Sequence, residues 1–383
     1  MFEVCERCFM PNTRPKTPFK DGVCQACKNF DTRQNVDWDK RLEELRKICD
    51  AHRSDDGSWD CILPVSGGKD SHAMVYWIKE VMGMNPLLIT TGDPFTKTEA
   101  GKKNYFNIGE SFNCDQLLGT VSPDTARRLI RAGFEEFLDP LRFIEQVLNT
   151  IPFKVGSKMG IPLSFKGESP FVYGASITEN KSVLERILRR TVGYDIDYWV
   201  ERGAKKEELN FIRPLSNKEL KELKPESYYL SYFVPWSSVT NMGIAKRYGF
   251  VDLTHEWRRE GCMENFEQID SMAYLTHLWL KYPKFGFQRT SDIAARRIRE
   301  GTITRGEAKK LILKYDHVLD QLAMKDFNDF LGYTTKEFWD IVENFWNTEI
   351  FEKNVVSWKM KVPRFPENKL DGKGEKKENE VLC

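Results

Sequence analysis

Short apolar segments alternate with longer amphipathic segments in the first half of the chain. Four apolar segments have the length of a strand and are predicted as buried strands: Cys61–Val65, Pro86–Thr91, 114–121 and 162–166. Residues 70–82 and 98–112, which lie between them, have the spacing of amphipathic helices. Strands that alternate with helices are typical of a doubly wound parallel sheet, so the pattern predicts the α/β class.

The pattern changes on both sides of this region. Before it, a helix over 38–52 is predicted to join an N-terminal cysteine unit to the sheet. After residue 182 the strand candidates become rare, and helices are indicated over 291–300 and from Thr304, where Glu307 completes a capping box. The predicted organisation is a cysteine unit at 1–35, the main α/β domain at 36–275, a helical region at 276–362 and a disordered, Lys/Glu-rich tail at 363–383.

Composition and charge narrow the functional classes. The 383 residues are 40% hydrophobic and 30% charged, as in a folded protein, and the formal net charge is +1. A near-neutral chain lacks the broad basic surface of a protein whose main task is to bind nucleic acid, so no nucleic-acid partner is expected. No apolar run approaches the roughly 18 residues of a membrane span, and Glu3, Glu6 and Arg7 stand where a signal peptide needs an apolar core. We therefore expect no membrane span and a cytoplasmic location.

Four of the nine cysteines form two Cys-x-x-Cys pairs: Cys5, Cys8, Cys24 and Cys27. The 15 residues between the pairs match the spacing of a four-thiolate zinc site. Because four protein ligands leave no open position for water, a structural zinc is favoured over a catalytic one. The spacing alone leaves an iron–sulfur cluster as an alternative.

A glycine-rich loop follows the first predicted strand and precedes a predicted helix. Its residues are Val65, Ser66, Gly67, Gly68, Lys69, Asp70 and Ser71. The glycines allow a tight turn and a close ligand approach, and unpaired N–H groups at the helix start attract an anion. Lys69 is suited to stabilise charge on a departing pyrophosphate, and Asp70 to help hold Mg²⁺ or to cap the helix. The spacing differs from that of a Walker A loop.

Other candidates lie after further strand ends, because ligands of an open parallel sheet bind there. After the second strand these are Thr91 for the nucleotide, and Phe95, Asn104 and Asn107 for the substrate. After the fourth strand, Gly167 is assigned to the nucleotide, and the substrate candidates are Lys166, Glu168 and Tyr173. The alternative is a polar loop and a helix with exposed amides.

A basic stretch in the helical region is a weaker candidate. It contains Arg289, Arg296, Arg297, Arg299, Arg305, Lys309 and Lys310. Such a run is more often the solvated face of helices than a phosphate site. Arg289, which stands before the predicted helix, is the preferred substrate contact.

The loop resembles the PP-loop of ATP pyrophosphatases, and nearly the whole chain resembles N-acetyl sugar amidotransferases of bacterial surface-polysaccharide and O-antigen synthesis. The matching residues are Cys5-x-x-Cys8-x-Met10-Pro11-Asn12-Thr13-Arg14-Pro15, Gly22-Val23-Cys24-x-Ala26-Cys27, Ser66 to Ser71, Pro94-Phe95 with Asn104 and Asn107, Phe285-Gly286-Phe287 with Arg289 and Asp292, and Ile298-Arg299-x-Gly301 with Arg305-x-Glu307-Ala308. The family has Gly-Glu-Asn where this chain has Gly167-Glu168-Ser169. The resemblance implies a PP-loop (HUP-like) sheet and an ATP-dependent conversion of an acetamido group on a nucleotide-activated N-acetyl sugar to an acetamidino group. AMP and pyrophosphate are the other products.

The resemblance also implies partners. The chain shows no glutaminase signature, so ammonia is expected from a glutaminase subunit similar to that of imidazole-glycerol-phosphate synthase, with a cyclase-like companion as a further candidate. Two alternatives stay open. One is a PP-loop tRNA-thiolating enzyme, against which the near-neutral charge weighs. The other is a zinc-binding interaction module without catalysis.

Overall fold

Five parallel strands form the central sheet of the computed structural model, which describes residues 2–174, 182, 196–355 and 357–365. Their order across the sheet is β5, β4, β3, β6, β7, with bounds β3 Cys61–Val65, β4 Pro86–Thr91, β5 Gln116–Gly119, β6 Leu163–Lys166 and β7 Glu226–Tyr229. Along the chain the sheet grows from β3 toward β5 and then returns to the other side of β3 with β6 and β7. The order therefore reverses between β3 and β6, which is the topological switch point of the sheet.

Helices cover both faces of this sheet. On one face Ile62, Leu87 and Ile89 pack against the helices Pro123–Phe137 and Arg142–Met159. On the other face Leu63 and Phe165 belong to a second apolar cluster, which the early helices of the chain complete. A period of two along β3 sends alternate side chains to opposite faces. The predicted doubly wound α/β fold is thereby confirmed.

The described part of the chain contains sixteen α-helices. They span Gln25–Arg33, Trp38–Asp50, Lys69–Val75, Glu99–Ser111, Pro123–Phe137, Arg142–Met159, Ile196–Val200, Asn217–Leu223, Leu230–Phe233, Ser238–Arg247, Tyr274–Trp279, Lys281–Phe285, Arg289–Arg299, Arg305–Tyr315, Gln321–Leu331 and Thr335–Glu343. The helix after β3 continues as a π-helical turn over Tyr76–Val81, and short 3₁₀ turns occupy Pro170–Tyr173 and Lys206–Leu209. Two-stranded antiparallel ribbons pair β1 Phe19–Lys20 with β2 Val23–Cys24, and β8 Phe351–Lys353 with β9 Trp358–Met360.

The expected strand bounds agree with the structure for β3 and β4, and β5 and β6 are shorter than expected. The edge strand β7 was not predicted. Its sequence, Glu-Ser-Tyr-Tyr, is short and half polar, because an edge strand alternates between buried and partly exposed positions. The helix expected over 291–300 begins two residues earlier, at Arg289. From residue 366 onward, the predicted disordered tail lies outside the described residues.

The C-terminal helices share a core with the sheet. Phe134 packs against Phe327 and Phe338, which lie in the helices Gln321–Leu331 and Thr335–Glu343. All three rings are fully buried. The predicted boundary between 275 and 276 therefore does not separate two hydrophobic cores, and the division of the chain into domains stays a prediction.

An irregular segment between Tyr248 and Ala273 is fixed to the helix Glu99–Ser111. The Glu256 carboxylate accepts hydrogen bonds from the backbone N–H groups of Glu99 (2.7 Å) and Ala100 (2.9 Å) at the start of that helix. A Cβ added to Gly101 would lie 2.5 Å from the backbone oxygen of Asp270, so only glycine allows this approach. The segment is thereby held beside the sheet, although it contains no strand or helix of its own.

Candidate active site

A cavity of about 960 Å³ opens at the carboxyl ends of β3 and β6. This is the switch point, where open α/β sheets bind their ligands. The lining residues come from the loops after these strands, the helix Arg289–Arg299, the cysteine unit and the segments around 236 and 268. They are Arg14, Pro15, Lys16, Lys69, Asp70, Gly167, Glu168, Ser169, Pro170, Val172, Tyr173, Ser182, Tyr229, Trp236, Ser238, Gln268, Arg289, Arg296 and Glu300.

The glycine-rich loop leads from β3 to the cavity. Gly67 has a φ of +82°, and a Cβ there would lie 2.8 Å from the backbone oxygen of Asn104, so both conformation and space require glycine. The Ser66 N–H donates to the Ser71 hydroxyl at 3.0 Å. The helix then begins at Lys69, where the N–H groups of the first turn have no partner within the helix. The turn thus carries Lys69 and Asp70 to the cavity wall.

A buried histidine, His72, contacts the backbone of this turn. The Nδ1 atom of His72 lies 3.1 Å from the Gly68 carbonyl oxygen, and its Nε2 atom lies 3.4 Å from the Asn107 amide nitrogen. Burial lowers the pKa of His72, which favours the neutral ring. A neutral tautomer that donates from Nδ1 and accepts at Nε2 satisfies both contacts. Asn107 therefore contacts the loop through His72 and is not in the cavity wall.

A buried carboxylate, Glu267, organises the basic side chains of the cavity. It is 4% exposed and forms ion pairs with Lys69 (3.1 Å), Arg289 and Arg296. Burial alone would raise the pKa of Glu267, but these three cations hold it well below its usual value. The pKa of Lys69 is raised, because Asp70 and Glu267 outweigh the opposing effect of burial. Both partners are therefore charged at neutral pH.

Lys69 and Asp70 are paired with each other inside the cavity. The Lys69 ammonium donates to the Asp70 carboxylate at 2.8 Å, and the other Asp70 oxygen accepts from the Asn241 amide at 2.7 Å. An ammonium group has three donors, so one donor of Lys69 stays available for a phosphate oxygen beyond Asp70 and Glu267. Asp70 has lone pairs left for a cation, since each carboxylate oxygen accepts more than one bond.

Arg289 connects Glu267 to Tyr173. Its guanidinium donates to the Tyr173 hydroxyl at 2.9 Å and to the Gln268 side-chain oxygen at 3.0 Å. Burial would raise the pKa of Tyr173, but the nearby guanidinium groups of Arg289 and Arg296 hold it below its usual value. Because the hydroxyl oxygen accepts from Arg289, its own proton is free to be donated to a ligand.

Not all predicted site residues line the cavity. Those that do are Lys69, Asp70, Gly167, Glu168, Tyr173 and Arg289. The structure places the following residues outside the lining: Val65, Ser66, Gly67, Gly68, Ser71, Thr91, Phe95, Asn104, Asn107 and Lys166. The loop members among them support Lys69 and Asp70. Four of the predicted substrate contacts have other partners: Asn107, which donates to the Tyr248 carbonyl oxygen at 2.6 Å, and Phe95, Asn104 and Lys166.

The structure corrects the predicted substrate roles of Phe95, Asn104 and Lys166. Phe95 is buried against Phe327 and Phe330, so it packs in the core. The Asn104 amide pairs with both backbone groups of Val251, donating at 2.7 Å and accepting at 2.8 Å. The ammonium of Lys166 donates to the Asn149 side chain on the helix Arg142–Met159. Each of these polar or apolar groups is needed by the fold itself.

The first helix of the basic stretch differs from the solvated face that was expected, whereas Arg305 and Lys310 in the next helix are exposed as expected. Arg289 and Arg296 are largely buried and line the cavity, and Arg297 pairs with the buried Glu264 carboxylate. Arg299 donates to the Val172 carbonyl oxygen at 3.0 Å and toward the Cys8 sulfur at 3.3 Å. A helix whose charged residues have buried partners is indistinguishable in sequence from a solvated one.

Several functional candidates were missed by sequence reasoning. The most important is Glu267, with Gln268 beside it, because both lie in the irregular segment and belong to no motif. Arg14 could have been found from the sequence, because it stands in the family-like motif between the cysteine pairs. No sequence signal pointed to Lys16.

The four cysteines of the N-terminal unit meet as their spacing predicts. All four are fully buried, and their sulfur atoms lie within 4.8 Å of one another. Two of the distances are 3.8 Å, between Cys5 and Cys27, and 3.6 Å, between Cys8 and Cys24. Four thiolates around one tetrahedral ion at 2.3 Å lie about 3.8 Å apart. The unit therefore fits a single metal ion, whereas a four-iron cluster would spread the sulfur atoms over different irons.

The fold and the loop define the class of the protein: an α/β protein with a PP-loop-like turn at the switch point of its sheet and a four-cysteine unit at its N-terminus. The C-terminal part has a more specific match. Residues 260–363 match the family model of the LPS biosynthesis protein WbpG-like, C-terminal domain. This match confirms, for that part of the chain, the resemblance to proteins of bacterial surface-polysaccharide synthesis.

The other similarities are more distant and cover between 43% and 78% of this chain. The uncharacterized protein MJ1599 of Methanocaldococcus jannaschii is 25% identical over 167 residues, which are 43% of this chain. The chain spans 58% of the length of that relative. The NMN synthetase of Francisella tularensis is 7% identical, with 78% of this chain and 94% of that chain covered and a TM-score of 0.36. The NH3-dependent NAD synthetase of Campylobacter jejuni is 11% identical, with 49% and 93% covered and a TM-score of 0.28. Among the described helices, none has both the length and the apolarity needed to cross a membrane.

We predict that Glu267→Gln destabilises the protein, because Lys69, Arg289 and Arg296 lose the buried carboxylate that they share. The free energy of unfolding should fall by about 3–5 kcal/mol, the usual cost of breaking a buried ion pair. Urea denaturation at pH 7 measures this change. The matched control is Glu110→Gln, an exposed glutamate on the helix Glu99–Ser111 whose carboxylate forms no ion pair or hydrogen bond with the described residues; it should change stability by less than about 0.5 kcal/mol.

The pH dependence of this difference has a fixed sign. The pKa of Glu267 is lower in the folded protein than its usual 4.5, so its contribution is fully present above that value and is lost as the pH falls. The gap between wild type and Glu267→Gln should stay constant from pH 7 to about 5 and shrink below about 4.5. A gap that already closes between pH 7 and 6 would mean that Glu267 is not held ionised by the three cations.

Proposed function

We propose that the protein is an ATP-dependent amidotransferase that converts an acetamido group of a nucleotide-activated N-acetyl sugar to an acetamidino group. The observation that carries the proposal is the placement of Lys69 and Asp70, from the glycine-rich turn, in a large cavity at the switch point. The match of residues 260–363 to a lipopolysaccharide-synthesis domain supports a sugar substrate. The reaction would take place in the cytoplasm, where ATP and activated sugars are made.

The chemistry explains why an amide needs ATP. An amide carbonyl is a poor electrophile, so its oxygen first attacks the α-phosphorus of ATP. A new O–P bond forms, the bond to the bridging oxygen breaks, and pyrophosphate leaves. Ammonia then adds to the imidate carbon, the C–O bond breaks, and AMP leaves with the former carbonyl oxygen. A proton lost from the nitrogen leaves an amidine.

The cavity residues fit roles in these two steps. The Lys69 ammonium stabilises negative charge that develops on pyrophosphate, and the helix start after Gly68 binds phosphate oxygens. Asp70, whose side chain is 40% exposed, would hold Mg²⁺, which would neutralise charge on the ATP phosphates. The Tyr173 hydroxyl and Glu168 lie where they can orient the sugar.

The source of ammonia is part of the proposal. At neutral pH free ammonia is mostly ammonium, which is not a nucleophile. We propose a separate glutaminase subunit, similar to that of imidazole-glycerol-phosphate synthase, that delivers ammonia to the cavity, with a cyclase-like protein as its companion.

The variant Lys69→Met tests whether the glycine-rich turn acts on ATP, because it should lose AMP formation. Methionine fills the same space without the charge, and Glu267 keeps its ion pairs with Arg289 and Arg296, so the fold should persist. Pyrophosphate release should fall by at least about 100-fold, the scale of one electrostatic contact in the transition state. The control is Lys103→Met, an exposed lysine on the helix Glu99–Ser111. Pyrophosphate release is followed with UDP- and CMP-linked N-acetyl sugars, and thermal melting verifies folding.

Other outcomes of the same assay favour the alternatives. Turnover that requires tRNA would replace the sugar reaction with thiolation, and absent ATP turnover in the wild type would favour an interaction module. Unchanged release in Lys69→Met would refute the role of the turn.

We further propose that the four-cysteine unit binds zinc. Elemental analysis should find about one zinc ion per chain, and Cys24→Ser should lose it because three thiolates bind zinc more weakly than four. Cys114→Ser, which changes a single cysteine away from the unit, is the control and should keep the ion. Iron in place of zinc in the purified chain would contradict the assignment.

A further inference from the structure

Most basic groups of the cavity are already neutralised. Lys69 is paired with Asp70 and Glu267, and Arg289 and Arg296 are both paired with Glu267. These three cations share two carboxylates, so they leave at most about one net positive charge, which the ATP phosphates would use. Any additional anion in the cavity therefore needs further cations.

Such cations are supplied by the loop between the two cysteine pairs. Lys16 lines the cavity, is exposed, and forms no ion pair or hydrogen bond with the described residues. Arg14 also lines the cavity and pairs with Asp292 only through Nε, at 3.0 Å, so Nη1 and Nη2 have no acceptor among the described residues. Two cationic side chains of the cysteine unit thus face the cavity with free donors.

The loop is held in place by contacts on several sides. The Thr17 hydroxyl donates to the Tyr173 carbonyl oxygen at 2.8 Å, and the Arg14 guanidinium lies 4.4 Å from the centre of the Tyr173 ring. The Thr13 hydroxyl donates to the Phe285 carbonyl oxygen at 2.6 Å. Lys16 itself has a φ of +59°, a conformation that residues other than glycine rarely adopt and that is often found at binding sites.

This cationic pair is separated from the glycine-rich turn. Between Lys69 and Arg14 lie Glu267, Arg289 and Tyr173. Lys69 and Arg289 both form ion pairs with Glu267, Arg289 donates to the Tyr173 hydroxyl, and Arg14 lies over the Tyr173 ring. A cavity of about 960 Å³ is at the upper end of the size of ligand sites. It has room for two ligands, as a reaction between ATP and a second substrate requires.

We infer that Arg14 and Lys16 form a second anion subsite, which binds the phosphate groups of the nucleotide-activated sugar while the turn at Lys69 binds ATP. This inference rests on the proposed function. A phosphate group has acceptor oxygens for both the free guanidinium donors and the ammonium. The cysteine unit is then part of the substrate site, and the zinc proposed for it would hold the loop that carries the two cations. An N-acetyl sugar without phosphate gains nothing from this subsite.

The test is isothermal titration of the full-length, metal-containing chain with UDP-N-acetylglucosamine, CMP-N-acetylneuraminic acid, free N-acetylglucosamine and ATP. Lys16→Glu should weaken binding of whichever activated sugar the wild type binds by about tenfold or more, since a charged contact is lost and a repulsion gained. The control is Lys20→Glu, an exposed lysine of the same unit that does not line the cavity, which should stay within about twofold. Affinity for ATP should be the same in all three proteins.

The possible results separate this inference from the proposed function. Three results would each overturn the subsite. They are equal weakening of sugar binding by Lys16→Glu and Lys20→Glu, a loss of ATP affinity in Lys16→Glu, and no binding of either activated sugar by the wild type. Weaker binding of the sugar in Lys16→Glu, in a wild type that forms no AMP, would support the subsite and refute the amidotransferase reaction.

Discussion

The buried Glu267 carboxylate is the interaction on which the site depends. Three cations from two distant parts of the chain, Lys69 after β3 and Arg289 and Arg296 on a C-terminal helix, meet at this one side chain. A buried charge without partners is very costly, so none of the four groups can be buried alone. Together they set the position of the lysine that the glycine-rich turn brings to the cavity.

This arrangement also explains why the C-terminal region is not an independent addition. The helix Arg289–Arg299 supplies cavity residues, and the helices Gln321–Leu331 and Thr335–Glu343 share the aromatic core beneath the sheet. The cysteine unit approaches the same cavity from the other end of the chain through Arg14 and Lys16. Residues of the sheet, of the helical region and of the cysteine unit therefore line one cavity.

The central part of the fold follows from local pattern. Apolar runs of strand length with glycine-rich or polar breaks predicted β3 and β4 to the residue, and the turn at Gly67 and Gly68 was predicted from its glycines between a strand and a helix. The structure shows that Gly67 must be glycine. The meeting of the four cysteines at one site was predicted from their spacing alone. Such features depend on residues close in sequence, which a single chain displays directly.

The remaining features depend on contacts between residues far apart in sequence. Glu267 lies in an irregular segment held by the Glu256 cap and by the approach at Gly101, neither of which has a sequence pattern. Phe95 and Asn104 follow a strand end, as ligand-binding residues do, but their partners Phe327 and Val251 give them packing and backbone-pairing roles. Arg296 reads as a surface residue until its buried carboxylate is known.

The most direct test of the central claim follows the oxygen atom of the acetamido group. If the cavity adenylates that oxygen, UDP- and CMP-linked N-acetyl sugars labelled with ¹⁸O in the acetamido carbonyl should transfer the label to AMP in the complete reaction with ammonia. Mass spectrometry should find AMP heavier by one ¹⁸O substitution and unlabelled pyrophosphate. Unlabelled AMP, or ADP and phosphate as the products, would contradict the account.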